Sequence, residues 1–171
     1  DGIPMVTSCH GTCLRQFVLC PDLGQEVQAG VSWIDAIFCL SRHQKEEVRS
    51  IHKVGLEKLH VVGGGFAGDL FFPGSKPDKG PIQIVYAGKL SRAKGVPWLL
   101  RSLKKVQHAD FRLHLAGSGS GEEFHESLAL AAQFGKKVKV HGPLPHRALA
   151  DLMRKSHLFV LPSFFEGLPL V

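Results

Sequence analysis

Between Ile82 and Leu161, short apolar runs and amphipathic stretches take turns, and this alternation limits the possible fold more than any other feature. Runs of strand character lie at Ile82–Tyr86, Arg112–Ala116, Lys137–His141 and Leu158–Leu161, and helical spacing is found at Val96–Gln107, Gly121–Phe134 and His146–Lys155. A strand can return parallel to its predecessor only over a long crossover, and a helix of this length supplies one. The pattern therefore predicts an α/β fold with a parallel sheet covered by helices on both faces. The first half carries a weaker version, with strands at Pro4–Thr7, Ala36–Leu40 and Leu59–Val62 and a helix at Ser41–His52. Ser41 suits the N-cap of that helix, and Gly55 stands near its end.

The segment FFPGSKPDKGP, residues 71–81, has three prolines and two glycines and no periodicity, which marks a linker. Residues 1–70 then read as the end of one domain, 71–80 as the connection and 81–171 as a second domain. Charge divides at the same place. Residues 1–75 carry six Lys and Arg against eight Asp and Glu, whereas residues 76–171 carry fifteen against seven. A basic half favours an anionic partner. Its aromatics are mostly Phe inside apolar runs, which read as core and argue against a nucleic-acid stacking surface. No apolar run has membrane-spanning length and no signal peptide is apparent, so the expectation is a cytoplasmic protein, with peripheral membrane contact left open by the basic half. The chain opens on Asp1 directly before a strand-like segment, as expected of a piece of something longer.

The four cysteines, Cys9, Cys13, Cys20 and Cys39, lie within the first forty residues but form no CxxC pair, and Cys39 sits inside the apolar run AIFCL. Reduced, mostly buried thiols are expected rather than a metal centre. The glycine-rich GGGFAG at 63–68 reads as a tight turn ahead of a hinge or phosphate cradle.

In an open parallel sheet, ligands sit beyond the carboxyl ends of the strands. Three loops there hold unusual residues. AGKLSRAKG, residues 87–95, gathers Lys89, Arg92 and Lys94 between Gly88 and Gly95. AGSGSGEE, residues 116–123, brings Gly117, Ser118 and Gly119 to the start of a helix, whose first N–H groups attract anions. PSFFEGLPL, residues 162–170, sets Glu166 before Gly167 and Leu168. Each feature alone reads as solvated surface or helix capping. Together they describe a site for something anionic that also bears hydroxyls.

YAGKLSRAKG, FRLHLAGSGSGEE, VHGPLP and VLPSFFEGLPLV, in this order, resemble the nucleotide-sugar domain of retaining GT-B glycosyltransferases. VTSCHGTCLRQF, IFCLSRHQKEEV and KLHVVGGGFAGDLFFP resemble the late N-terminal domain and the approach to its linker. The resemblance implies two Rossmann-like units, with residues 1–70 on the acceptor side. It implies that Lys89 and Lys94 bind the donor diphosphate, that Gly88, Gly117, Ser118 and Gly119 lie near the nucleotide, and that Leu144 packs on the base. Glu166 matches the first Glu of an E-x7-E motif reaching the donor sugar, with Gly167 and Leu168 as backbone donors. His10 matches a histidine that contacts the sugar from the other domain; taken by itself, a His beside a glycine turn reads as structural. His141 and His157, at edges of apolar runs, read as structural too.

The second Glu of that motif would fall past Val171, an early glycine-rich loop of the N-terminal domain is missing, and GG replaces the family's usual NG at 63–66. The expectation is a middle section of an enzyme, inactive alone, that needs no metal or other cofactor because lysines neutralise the leaving diphosphate. Its partners would be a nucleotide-sugar donor and a glycan, lipid or small-molecule acceptor. A GT-B nucleotide-sugar epimerase and a non-catalytic basic module for membrane or nucleic acid are the alternatives.

Overall fold

The computed structural model describes residues 2–171, apart from the side chain of Thr12. Internal contacts divide the chain into two compact units, Asp1–Gly65 with Glu166–Leu170, and Phe66–Phe165 with Val171. The compact boundary thus falls near Gly65, five residues before the expected domain end, and the segment 71–81 belongs to the second unit.

The first unit holds a parallel three-stranded sheet in the order β1-β2-β3, made of β1 (Val6–Cys9), β2 (Ala36–Cys39) and β3 (Leu59–Val61). β1 begins two residues later than its apolar run suggested. Pro4 has no N–H to give a ladder, and the Met5 N–H goes instead to the Asp35 carboxylate at 2.7 Å. Helix α3 (Arg42–His52) is capped by Ser41, whose hydroxyl accepts from the Gln44 N–H at 3.1 Å. It ends at Lys53, which takes the left-handed conformation at φ 53°, so the stop comes before Gly55. Two further helices, α1 (Gly11–Leu19) and α2 (Gly24–Ser32), were not foreseen. α2 buries none of its residues and, among the described residues of α1, only Leu14 is in the core, so neither shows a clean apolar stripe in sequence. Cys9, Leu14, Ile37, Cys39, Val48, Val54 and Leu59 make the core.

The second unit holds a parallel four-stranded sheet in the order β6-β5-β4-β7, from β4 (Ile82–Ala87), β5 (Phe111–Ala116), β6 (Val138–Gly142) and β7 (Leu158–Phe159). Helices α4 (Val96–Lys104), α5 (Gly121–Ala132) and α6 (His146–Arg154) make the crossovers. α4 and α5 lay Val96, Leu100, Leu130 and Ala131 over Ile84, Tyr86, Leu113 and Leu115. Val85, on the opposite face of β4, is just as buried, because α6 packs against that strand. The parallel α/β architecture with helices on both sides is the one that the alternation called for.

Structural histidines tie this unit together. The His157 ring accepts the Gln83 N–H at Nδ1, 2.9 Å away, which leaves Nε2–H to donate to the Pro77 carbonyl at 2.8 Å. His114 bridges His141 and Gln83, at 2.9 Å to each. Arg154 donates to the Leu70 carbonyl at 2.9 Å and lies 4.5 Å over the Phe72 ring, fastening the 71–81 segment to α6. Among the described residues no helix is long and apolar enough to cross a membrane.

Candidate functional site

Because β4, β5 and β6 run the same way, the loops after them emerge from one edge of the sheet. Backbone hydrogen bonds sew these loops together: Gly88 N–H to Ala116 carbonyl at 2.9 Å, Leu90 N–H to Ser118 carbonyl at 2.8 Å, and Gly117 N–H to Gly142 carbonyl at 2.8 Å. The fully buried Tyr86 pins the first loop from beneath, its hydroxyl donating to the Lys89 carbonyl at 2.7 Å. Gly88 and Gly117 adopt φ of 154° and 145°, and a Cβ on Gly117 would collide with the Gly88 carbonyl. Only glycine lets the two loops approach so closely.

The result is a cleft of about 470 Å³ lined by Gly88, Lys89, Gly117, Ser118, Gly119, Ser120 and Pro143. Lys89 is exposed. Ser120, the N-cap of α5, lines the same cleft as Lys89 and makes no side-chain cap, so that helix, with Glu122 and Glu123 in its first turn, starts at the cleft wall. This combination suits an oxyanion with several acceptor atoms. Ser120 and Pro143 were not singled out from sequence. Ser120 is a small residue before a helix, a signal that was available; Pro143 enters only through the fold.

The other foreseen residues fall in different places. Lys94 is half-buried in the turn before α4, where its N–H approaches the Ser91 hydroxyl at 3.4 Å, and it does not line the cleft. Gly95, at φ 73°, must be glycine because an added Cβ would strike the Pro162 carbonyl. Leu144 is half-buried and follows Pro143 without lining the cleft itself. Arg92, the third cation of its loop, is held elsewhere. Its Nε donates to Glu126 at 2.8 Å and its backbone N–H to Glu123 at 3.0 Å, and Arg101 also meets Glu126 at 2.6 Å. The Arg92 bond keeps the Glu126 carboxyl below its usual range.

Glu166, Gly167 and Leu168 cluster with the first unit. Glu166 is half-buried. A Cβ on Gly167 would lie 3.0 Å from the Gly11 Cα and 3.1 Å from the Gly11 nitrogen, so this turn rests on the start of α1. His10 is the exposed N-cap of that same helix and makes no side-chain cap. On the other side, a Cβ on Gly64 would lie 2.9 Å from Leu168 and 3.1 Å from Leu170. The glycine run at 63–65 therefore makes room for the 166–170 segment, in addition to its turn at Gly63, φ 71°.

All four thiols are free, Cys9 and Cys39 buried, Cys20 intermediate and Cys13 exposed, so the expectation of mostly buried thiols holds for two. Burial pushes the Cys9 thiol up to about 12. Among the described residues, no three His, Cys, Asp or Glu side chains converge as metal ligands.

Residues 69–171 match the family model described as glycosyl transferases group 1. The chain is 26% identical over 178 residues to a glycogen synthase of Mycobacterium tuberculosis, an alignment covering 99% of this chain and 43% of that protein. Its fold is similar to that of a sucrose-phosphate synthase from Thermosynechococcus elongatus, with TM-score 0.77 and 20% identity over 99% of this chain and 47% of that one. It is also similar to Anabaena HepE, solved in complex with UDP and glucose, with TM-score 0.72 and 16% identity over 96% and 47% of the two chains. The chain spans about half the length of the curated relatives it matches.

Proposed function

The chain belongs to the glycosyl transferases of group 1, and from that premise we propose that it is part of an enzyme that moves a sugar from a nucleoside-diphosphate sugar to an acceptor with retention of configuration. One observation carries the reading: the glycine-backed cleft at the carboxyl edge of the second sheet, where Lys89 and the open start of α5 face the same space. As the glycosidic bond to the donor breaks, negative charge collects on the departing diphosphate. Lys89 and the α5 N–H groups stabilise that charge more strongly than they stabilise the intact donor, which is what lowers a barrier. Lys94, in the same loop, is the second diphosphate group of this reading. Glu166 accepts hydrogen bonds from sugar hydroxyls, the N–H groups of Gly167 and Leu168 donate to the sugar, and His10 serves the sugar from the start of α1. Retention follows from same-face attack assisted by the leaving phosphate, so no protein carboxylate becomes glycosylated. No metal is required in this scheme, and transfer by the complete enzyme should survive chelation by EDTA.

The complex of HepE with UDP and glucose makes UDP the first nucleotide to try. The test is calorimetric titration of the full chain with UDP, ADP and GDP, and with mixed-sequence DNA, at two salt concentrations. One nucleoside diphosphate should bind with little salt dependence, and Lys89→Ala should weaken it about tenfold or more. Glu166→Gln should reduce use of the donor sugar while leaving the bare diphosphate bound. Preferential DNA binding that falls steeply with salt would favour a polyanion-binding module instead.

A further inference from the structure

Gln44 carries one hydrogen-bonding group more than its local task needs. It stands three residues after Ser41, in the S-x-x-Q arrangement of a capping box. Its Oε1 accepts the Leu40 N–H at 2.7 Å, so the orientation of the amide is set. That bond, to the residue just before the N-cap, calls for an acceptor, which Glu would supply equally well. The remaining Nε2 is a pair of donors on a side chain only 1% exposed, and it has no partner among the described residues. Buried donors are nearly always satisfied, and one left alone is costly.

What lies beside Nε2 is the Glu166–Gly167 turn. A Cβ on Gly167 would sit 3.8 Å from Gln44 Nε2 and 3.1 Å from the Gly11 nitrogen, so the turn is pressed against two donors at once. Main-chain carbonyls are the acceptors that such a turn offers. Gly64, on the far side of the 166–170 segment, leaves room for it to settle.

We propose that Gln44 is a positioning residue for the Glu166–Gly167 turn, its Nε2–H donating to a main-chain carbonyl of that turn after a small displacement. The bond would hold Glu166 at a defined place above the start of α1. Its consequence for catalysis rests on the proposed role of Glu166 at the donor sugar; the bond itself does not.

Two variants separate the parts of the side chain. Gln44→Glu keeps the oxygen that serves Leu40 and removes the donor, whereas Gln44→Leu removes both. Amide hydrogen exchange is measured on the full chain without nucleotide. Residues 166–168 should exchange about tenfold faster in both variants than in the parent, the effect of one lost hydrogen bond. In Gln44→Glu the difference should shrink as pH falls into the carboxylate range, where a protonated carboxyl regains a donor. Gly167→Ala, which leaves Gln44 intact but lifts the turn off Gly11, should accelerate the same amides. Parental exchange at 166–168, with loosening confined to the start of α3, would overturn the proposal. In transfer assays of the complete enzyme that contains this chain, both Gln44 variants should lower kcat about tenfold while UDP affinity stays within about twofold. UDP failing to bind the parent would count against the proposed function and leave the exchange result to decide the role of Gln44.

Discussion

The two units use one strand–helix grammar and reach different depths of burial. In the second, Tyr86, Leu90, Val96, Leu100, Leu113 and Leu115 are completely shut from solvent. In the first, Cys39 alone of the core residues reaches that state, while Val18, Leu19 and Trp33 on and beside α1 and α2 are 63%, 62% and 75% exposed. The cause is coverage. β4 and β5 are flanked by strands on both sides and roofed by α4 and α5, whereas only β2 is flanked in the three-stranded sheet. Since stabilisation scales with apolar surface removed from water, the second unit should carry most of the folding free energy of the two, and with it the rigid frame for the cleft. The loops and helix starts of the first unit rest on a shallower core and should be easier to displace.

The largest effect should come from the deep core. Leu113→Ala removes a fully buried side chain from the centre of the four-stranded sheet and should destabilise the protein by about 3–4 kcal/mol, whereas Val18→Ala in exposed α1 should change stability by less than about 0.5 kcal/mol. Chemical denaturation read by tryptophan fluorescence would compare them, and similar losses would break the contrast between the units. Next is the cleft: in the complete enzyme, Lys89→Ala should lower transferase turnover by about two orders of magnitude with the fold unchanged, and turnover within a few-fold of the parent would remove Lys89 from the donor site.

A smaller, pH-dependent difference follows from the histidines. Burial lowers the pKa of His114, with His141 adding to it, and burial lowers His141 and His52 as well. Each folded-state value lies below the unfolded one, near 6.5, so the unfolded chain takes up protons first as the solution is acidified. The stabilising difference is complete above about pH 6.5 and declines as pH falls through and below that value. Two of these groups lie in the second unit and one in the first, so thermal melts at neutral and acid pH should show the His114–His141 pair contributing the greater sensitivity. His114→Gln should flatten the dependence. The smallest effect concerns the end of α3. Lys53 holds φ 53°, and Lys53→Gly should stabilise the first unit by about 0.5–1 kcal/mol in equilibrium unfolding. A loss would show that the Lys53 side chain makes a contribution outweighing its backbone strain.

Where side chains repeat with the period of a buried face, sequence was enough. All seven strands and the helices α3 to α6 are present, their ends displaced by at most a few residues. Helices α1 and α2 escaped because their apolar residues are largely left outside, so no stripe records a partner. The candidate site was legible in part. Glycines at 88 and 117 and Lys89 beside the first of them were visible as a pattern, since close backbone approach requires glycine and anions require charge. The resemblance named Lys89 and Lys94 from this loop; that Lys89 lines the cleft and Lys94 does not, and that the packing of α5 beside α4 gives Arg92 to Glu126, was not visible in the sequence.

Sequence by itself therefore determined the class of fold, the parallel direction of the strands and the sheet edge from which the glycine- and lysine-bearing loops emerge, because local periodicity and the crossover rule act along the chain. Tertiary structure decided how loops far apart in sequence share hydrogen bonds, which cation is left to line the cleft, and that Gln44 faces Gly167 across more than a hundred residues. Those outcomes depend on distances between elements, and no local pattern encodes a distance that only packing creates.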